Sequence, residues 1–328
     1  MPQPNASGRY ILGLDIGGTK LAVVIADRSG TVLHKIRRST DAQRGARAVV
    51  DTLCDMAREA VALQATTLAD LVGIGVSCGG PLDTTTGVVY SPPNLPGWDG
   101  IPLRDWLEAD LGVATFIDND ANASALAEWL YGAGRGYRNV VYMTMSTGIG
   151  GGLILDGRLY RGIGDAAGEV GHMTLLPGGP LCGCGKHGCL EAICSGPAIA
   201  RRAREALAAG APSLMTDLVK GDVSAITAET VMTAARKGDE TALRLVDETA
   251  RYMAIGLGNI VNVLNPEIII IGTIIVKAGD LLLEPIRSYL RQETWERVYN
   301  MVQVVPAGLG DAVGDLAAVA IIGELVKS

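Results

Sequence analysis

Short apolar runs closed by glycine open the chain. Tyr10–Ile16 is apolar and stops at Gly17-Gly18, residues 21–26 follow, and Asp27-Arg28-Ser29-Gly30 turns the chain into 31–37. An apolar run broken by a Gly-Gly pair and a polar turn predicts three strands of a β-meander. A 3.6-residue period over 44–65 predicts a helix, and 71–77 predicts a strand leading into Gly79-Gly80-Pro81. Residues 102–111 are expected as helix, 113–117 as strand and 121–131 as helix. The opening pattern then returns: 140–145 runs into Gly148-Ile149-Gly150-Gly151-Gly152, 153–155 continues, Asp156-Gly157 turns, and 159–160 comes back. This internal echo predicts two similar α/β lobes, each offering a glycine turn to one cleft. The remainder is mostly helical in pattern, at 196–209, 227–236, 239–264, 279–291 and 314–326, with strands at 268–271 and 301–305. Pro92, Pro93 and Pro96 stiffen a loop over 91–100.

A length of 328 residues suits two domains, and 48% hydrophobic residues exclude a disordered chain. With 4% aromatics and one Phe the core must be aliphatic, and the inventory argues against stacking platforms for single strands. The net charge of −7 and the lack of a basic stripe argue against nucleic acid; Arg201, Arg202 and Arg204 read as a solvated helix face. No leader pattern is evident, and the most apolar stretch, 253–276, is broken by Asn259, Asn262, Asn265, Pro266 and Glu267, so a cytoplasmic protein off the membrane is expected.

Three segments carry chemistry. In Asp15-Ile16-Gly17-Gly18-Thr19-Lys20, glycines let backbone amides approach a phosphate, Thr19 adds a hydroxyl, and Asp15 can hold Mg²⁺ through water; a plain hairpin turn is the competing reading. The run 148–152 lacks the third glycine of a dinucleotide fingerprint, since 153 is Leu153, but as the twin of the first turn it suggests a second phosphate grip. Asp118-Asn119-Asp120-Ala121-Asn122 stands where a strand ends and a helix begins. One such residue suffices for a cap, and a carboxylate here can accept a hydroxyl proton. The sharpest local signal is Glu169-x-x-His172 followed by Cys182-Gly183-Cys184 and Cys189-x-Glu191. One imidazole and three thiolates suit a closed, tetrahedral, structural Zn²⁺ site that holds Glu169 and Glu191 in place. Cys194 can replace His172 in that set, and buried free thiols are the metal-free alternative.

These motifs together, D-I-G-G-T-K, N-D-A-N, G-E-V-G-H and C-G-C-G-x-x-G-C-L-E, closely resemble the ROK family of bacterial sugar kinases and repressors, from residue 10 to the end of the chain. The resemblance implies an α/β, two-lobed, actin-like or hexokinase-type (ribonuclease H-like) fold, with a duplicated β-meander core and an inserted zinc loop. It implies that Asp120 is the catalytic base. Asn94, in the loop Pro93 to Trp98, with Gly80, Asn119, Glu169, His172 and Glu191, would bind the sugar. Asp15, Gly17, Gly18, Thr19 and Lys20, with Thr147, Gly148, Gly150 and Gly272, would bind Mg·ATP. His172, Cys182, Cys184 and Cys189 would hold zinc. Members usually show Gly-Gly after the strand at 268–271; here the pair is Gly272-Thr273, and a side chain there would crowd the nucleobase.

The expected protein is therefore an ATP-dependent hexose kinase acting on glucose, with N-acetylated hexosamines, mannose or fructose as alternatives. A non-catalytic sugar sensor related to the repressors is the reading from another class. A repressor needs an N-terminal helix-turn-helix, and only fourteen residues precede Asp15. The expected lobes are 1–117 and 118–313, with 314–328 packing back on the first, in a homodimer or homotetramer.

Overall fold

A computed structural model of the chain describes residues 3–92 and 94–327. Pro93 of the proline-rich loop, Met1 and Pro2 at the start of the expected first lobe, and Ser328 at the end of the expected terminal helix lie outside the described residues. The chain falls into two compact units. The first comprises Met1–Gly136, Gly152–Ala167 and Asp311–Ser328; the second comprises Tyr137–Gly151 and Gly168–Gly310.

The first unit opens with β1 (Tyr10–Ile16), β2 (Lys20–Asp27) and β3 (Val32–Ser39), the expected antiparallel meander. Helix α1 (Ala46–Leu63) then crosses to β4 (Leu71–Cys78), which lies parallel to β1. Three short strands, β5 (Leu82–Asp83), β6 (Val88–Tyr90) and β7 (Asp99–Pro102), form a small separate sheet around the proline-rich loop. Helix α2 (Leu103–Leu111), β8 (Thr115–Asn119) and α3 (Asp120–Tyr131) follow. The main sheet has the order β3-β2-β1-β4-β8. Burial records each strand's place in it: every residue of central β4 is buried, whereas edge strand β3 alternates.

The chain next enters the second unit through β9 (Val140–Met143). It returns to the first within β10 (Gly151–Leu155), which forms a hairpin with β11 (Arg158–Leu159). The rest of the second unit is built from α4 (Leu190–Cys194), α5 (Gly196–Ala208), α6 (Met215–Leu218), α7 (Ala228–Arg236) and the long α8 (Glu240–Leu264). Then come β12 (Ile268–Ile271), α9 (Ile274–Ala278), α10 (Asp280–Glu293), α11 (Glu296–Tyr299) and β13 (Gln303–Pro306). Strand β12 lies between β9 and β13, parallel to both, and its four isoleucines are all buried. Asp239 caps α8 by accepting the Ala242 amide at 2.7 Å, and Asn265 ends it in the left-handed region before Pro266.

The last helix, α12 (Val313–Lys327), belongs to the first unit and packs on β1, β4 and α3. A notch makes this possible. A Cβ built at Gly75 would lie 1.9 Å from the Ala318 carbonyl, so the α12 backbone rests directly on β4. The opposite face of the sheet packs on α1 through an aliphatic core that includes Leu12, Leu14, Val49, Leu53 and Ile74, with Trp98 as its large aromatic. Among the described residues no helix is long and apolar enough to cross a membrane.

Candidate active site and metal group

In the first unit the parallel strands β1, β4 and β8 end on one edge of the sheet. Their register pairs Asp15 with Ser77, Ser77 with Asp118, and Cys78 with Asn119. Ligands of open α/β sheets bind at such carboxyl ends. Gly80 joins the row: a Cβ there would sit 3.9 Å from that of Asn119. The β1–β2 turn is closed by the Gly17 amide donating to Lys20 O at 3.1 Å. Thr40 ties it down, its hydroxyl donating to Gly17 O at 2.6 Å and its amide to Thr19 O at 3.1 Å. The Gly18 and Thr19 amides donate to no protein acceptor among the described residues. Gly18 also presses on Asn94: its Cβ would be 2.6 Å from Asn94 O. Together Gly18, Thr19, Asn94 and Pro96 line one wall of an open cavity of about 470 Å³. Leu95 and Trp98 of the same loop are both buried, and the Trp98 amide donates to Leu95 O at 3.2 Å.

Electrostatics mark Asp15. Burial pushes its carboxyl up to about 6; Lys20 opposes this, while Asp120 and Asp315 add to it. Asp315 went unnoticed in the sequence, where an acid in the first turn of a helix reads as dipole compensation. It pairs with Lys35 and lies 3.6 Å from Arg37. The start of α12 stands beside Asp15, since a Cβ on Gly314 would be 3.9 Å from Asp15 Oδ2.

The Asp118–Asn122 corner divides its labour. Asn119 is the cap of α3, its Oδ1 accepting the Asn122 amide at 2.7 Å. Asp118 is 1% exposed and burial pushes its carboxyl up, against the pull of Arg161 and Asn122. Asp120 is the first residue of α3 and is exposed, so it is relieved of the capping role.

In the second unit the turn after β9 is tighter. The Ser146 amide donates to Gly148 O at 2.9 Å, the Gly150 amide to Thr144 Oγ1 at 3.0 Å, and the Ile149 amide to Glu191 Oε2 at 2.9 Å. Gly148 is packed against the same carboxylate, its Cβ position being 2.7 Å from Glu191 Oε2. The Glu169–His172 segment lies flush on this turn: a Cβ on Gly171 would meet Ile149 O at 1.9 Å. Gly272 and Thr273 lie along the same strand end, with the Gly272 amide donating to Met143 O at 2.8 Å and the Ile274 amide to Met145 O at 2.9 Å. Thr273 has φ 57° and ψ −101°, a conformation that favours glycine.

His172, Cys182, Cys184 and Cys189 converge, with candidate ligand atoms all within 4.8 Å of one another. The Cys184 and Cys189 sulfurs are 3.7 Å apart, and His172 Nδ1 is 3.6 Å from Cys182 Sγ. A tetrahedron with 2.3 Å metal–sulfur bonds has edges of about 3.8 Å, so the set fits a thiolate- and imidazole-bound cation. The second histidine nitrogen, Nε2, lies 3.8 Å from Glu169 Oε2, and Cys182 Sγ is 3.6 Å from Glu191 Oε1. Cys194 is elsewhere: it is fully buried, donates to Thr249 O at 3.7 Å, and burial pushes its thiol up to about 12. Within each unit, then, the expected residues gather at one edge.

Known proteins are similar to this chain along almost its whole length. Residues 11–324 match the model of the ROK family. A glucokinase of Halalkalibacterium halodurans is 37% identical over 98% of this chain and 96% of its own length. A ROK hexokinase from Thermus thermophilus is 35% identical, with a TM-score of 0.81 over 95% of this chain and 97% of that one. A ROK family glucokinase from Streptomyces griseus, solved in complex with glucose and AMPPNP, is 34% identical with a TM-score of 0.77 over 94% and 97%. Matched by the family model over residues 11–324 and by relatives over almost its entire length, the chain belongs to the ROK family.

Proposed function

We propose that this chain is an ATP-dependent hexose kinase that takes glucose, with Asp120 as the base. The observation that carries the reading is the division of labour at the strand end. Asn119 caps α3, so Asp120, exposed at its first position, serves another purpose. The hexose 6-hydroxyl is a poor nucleophile until its proton can leave, and a carboxylate at this corner accepts that proton as the oxygen attacks the γ-phosphorus. Gly80, Asn94 and Asn119 in the first unit, and Glu169, His172 and Glu191 in the second, bind the sugar hydroxyls. Asp15 with Gly17, Gly18, Thr19 and Lys20, and Thr147, Gly148, Gly150 and Gly272 in the second unit, bind Mg·ATP. The Mg²⁺ carried with ATP neutralises charge on the transferring phosphoryl group. His172, Cys182, Cys184 and Cys189 hold one structural Zn²⁺, which leaves no open position for substrate.

The test is Asp120→Asn, nearly isosteric and an equally good helix-forming neighbour of the cap. Turnover should fall at least about 10²-fold, with melting temperature and metal content unchanged. Turnover near wild type would remove Asp120 from the mechanism. Coupled assays of the wild type against glucose, mannose, fructose and N-acetylated hexosamines should show the highest kcat/KM with glucose; a preference for another of these sugars overturns that assignment.

A further inference from the structure

We propose that Arg161 is a positioning residue for the base, acting through Asp118 and never touching the reacting atoms. The inference rests on the kinase reading with Asp120 as base. Asp118 is buried at the end of β8, and its two oxygens face different tasks. Oδ2 accepts from Arg161, with both Nε and Nη2 at 2.8 Å. Oδ1 accepts the Asn119 amide at 2.8 Å and Asn122 Nδ2 at 2.9 Å. One carboxylate thus joins a guanidinium on the loop after β11 to the first turn of α3, which begins with Asp120. Arg161 is itself anchored. Its Nη2 lies 3.1 Å from Glu324 Oε2 on α12, and Glu324 Oε1 accepts the Leu159 amide at 3.1 Å.

The same loop is fixed a second time. Asp165 accepts the Thr84 amide at 2.8 Å and the Thr84 hydroxyl at 2.9 Å, which ties it to the turn between β5 and β6. Arg161 therefore stands on a rigid base and can transmit position rather than follow it. Burial disfavours an ionised Asp118, and the guanidinium is what keeps it a carboxylate able to accept two bonds on Oδ1. Without Arg161 the carboxyl takes up a proton or turns toward solvent. The Asn119 and Asn122 bonds then loosen, and the displacement falls on the residue next along the chain. A misplacement of about 1 Å at a reacting group can lower the rate about 10²-fold. Lysine cannot replace the fork, because one ammonium cannot supply Nε and Nη2 to Asp118 while also meeting Glu324.

A merely structural Arg161 would fasten the loop to α12 and nothing more, and a double-mutant cycle separates the two roles. Turnover, sugar KM, melting temperature and zinc content are measured for Arg161→Gln, Arg161→Lys and Asp118→Asn, each alone and combined with Asp120→Asn. Arg161→Gln alone should lower kcat about 10- to 100-fold with sugar KM within about twofold. In the Asp120→Asn background the same change should cost no more than about threefold, because the group it positions is already disabled. Arg161→Lys should recover part of the loss. Equal fold-losses in both backgrounds, or an unchanged kcat for Arg161→Gln, overturn the inference. If Arg161→Gln does not fold, the cycle with Arg161→Lys and Asp118→Asn decides by the same criterion. An unchanged kcat for Asp120→Asn alone removes the base itself and this inference with it, an outcome distinct from the two above.

Discussion

The two glycine turns invite comparison, because the sequence presents them as echoes and the structure furnishes them in opposite ways. In the turn at 17–19, Thr40 holds the Gly17 and Thr19 carbonyls, while the Gly18 and Thr19 amides donate to no protein acceptor among the described residues. The carboxylate of this turn, Asp15, is half-buried, and desolvation, with the charges of Asp120 and Asp315 adding, pushes it up to about 6. The turn at 147–150 already has its anion, since Glu191 accepts the Ile149 amide and lies against Gly148. Glu191 in turn reaches Cys182 of the His/Cys group at 3.6 Å. The first turn is thus supported by the core of its own sheet, and the second by a loop over 173–189 that holds no helix or strand and is closed by turn bonds and two isolated bridges, Thr174 to Cys189 and Leu181 to His187. Similar hairpins need not have similar dependence: one relies on packing, and on our proposal the other relies on a cation.

The comparison breaks most visibly if the cation is removed. Cys184→Ala should reduce bound zinc from about one per chain to none and abolish turnover, because a loop without helix, strand or core of its own couples its folding to its ion. Elemental analysis of chelator-free protein, alongside activity, checks it. Retained turnover without metal would place both turns on the same footing.

Asp15 sharpens the other side. A carboxyl whose pKa is raised from 3.8 to about 6 by burial destabilises the fold wherever it is ionised. The penalty is absent below about pH 4, grows between there and about pH 6, and is complete above, reaching about 3 kcal/mol. Asp15→Asn should therefore be more stable than wild type in magnesium-free urea titrations at pH 8, with the difference vanishing at pH 4. The same variant should lose at least about 10²-fold in turnover if, as we propose, Asp15 answers the Mg²⁺ charge. A stability difference independent of pH would show that Asp15 is not held against its own ionisation.

The smallest effect concerns the border of the second turn. Thr273 stands at φ 57°, ψ −101°, where a β-branched residue is strained by about 1–3 kcal/mol. Thr273→Gly relieves the strain and adds backbone entropy to the unfolded chain, for a net gain of about 1 kcal/mol and a Tm rise of about 2 °C. A fall in Tm would mean that the threonine side chain holds this loop.

Much of this was legible in the sequence, and the limits of legibility have a physical cause. The meander, the strand at 268–271 and the terminal helix announce themselves because each buries a face, so hydrophobic periodicity reports them. The four metal-group residues were legible because ligand chemistry restricts residue type and spacing. Strand β8 was expected at 113–117 and runs to Asn119, because a strand end that faces a ligand edge carries polar residues and breaks the apolar pattern. The three short strands β5 to β7 are too brief to show alternation. The supporting ion pairs were invisible: Arg161 meets Asp118 across 43 residues and Glu324 across 163, and Lys35 meets Asp315 across 280. No local pattern encodes such partners.

The notch at Gly75, where Ala318 of the final helix seats on β4, also sets a timetable. The two residues are 243 positions apart in synthesis order. At roughly 5–20 residues per second, the ribosome emits the second about 10 to 50 s after the first. Until then the face of the sheet around Gly13, Gly73 and Gly75 lacks its cover, and Arg161 lacks Glu324. The nascent first unit must wait, half-assembled, for α12, and the strand-end corner acquires its full support only once that helix has been made.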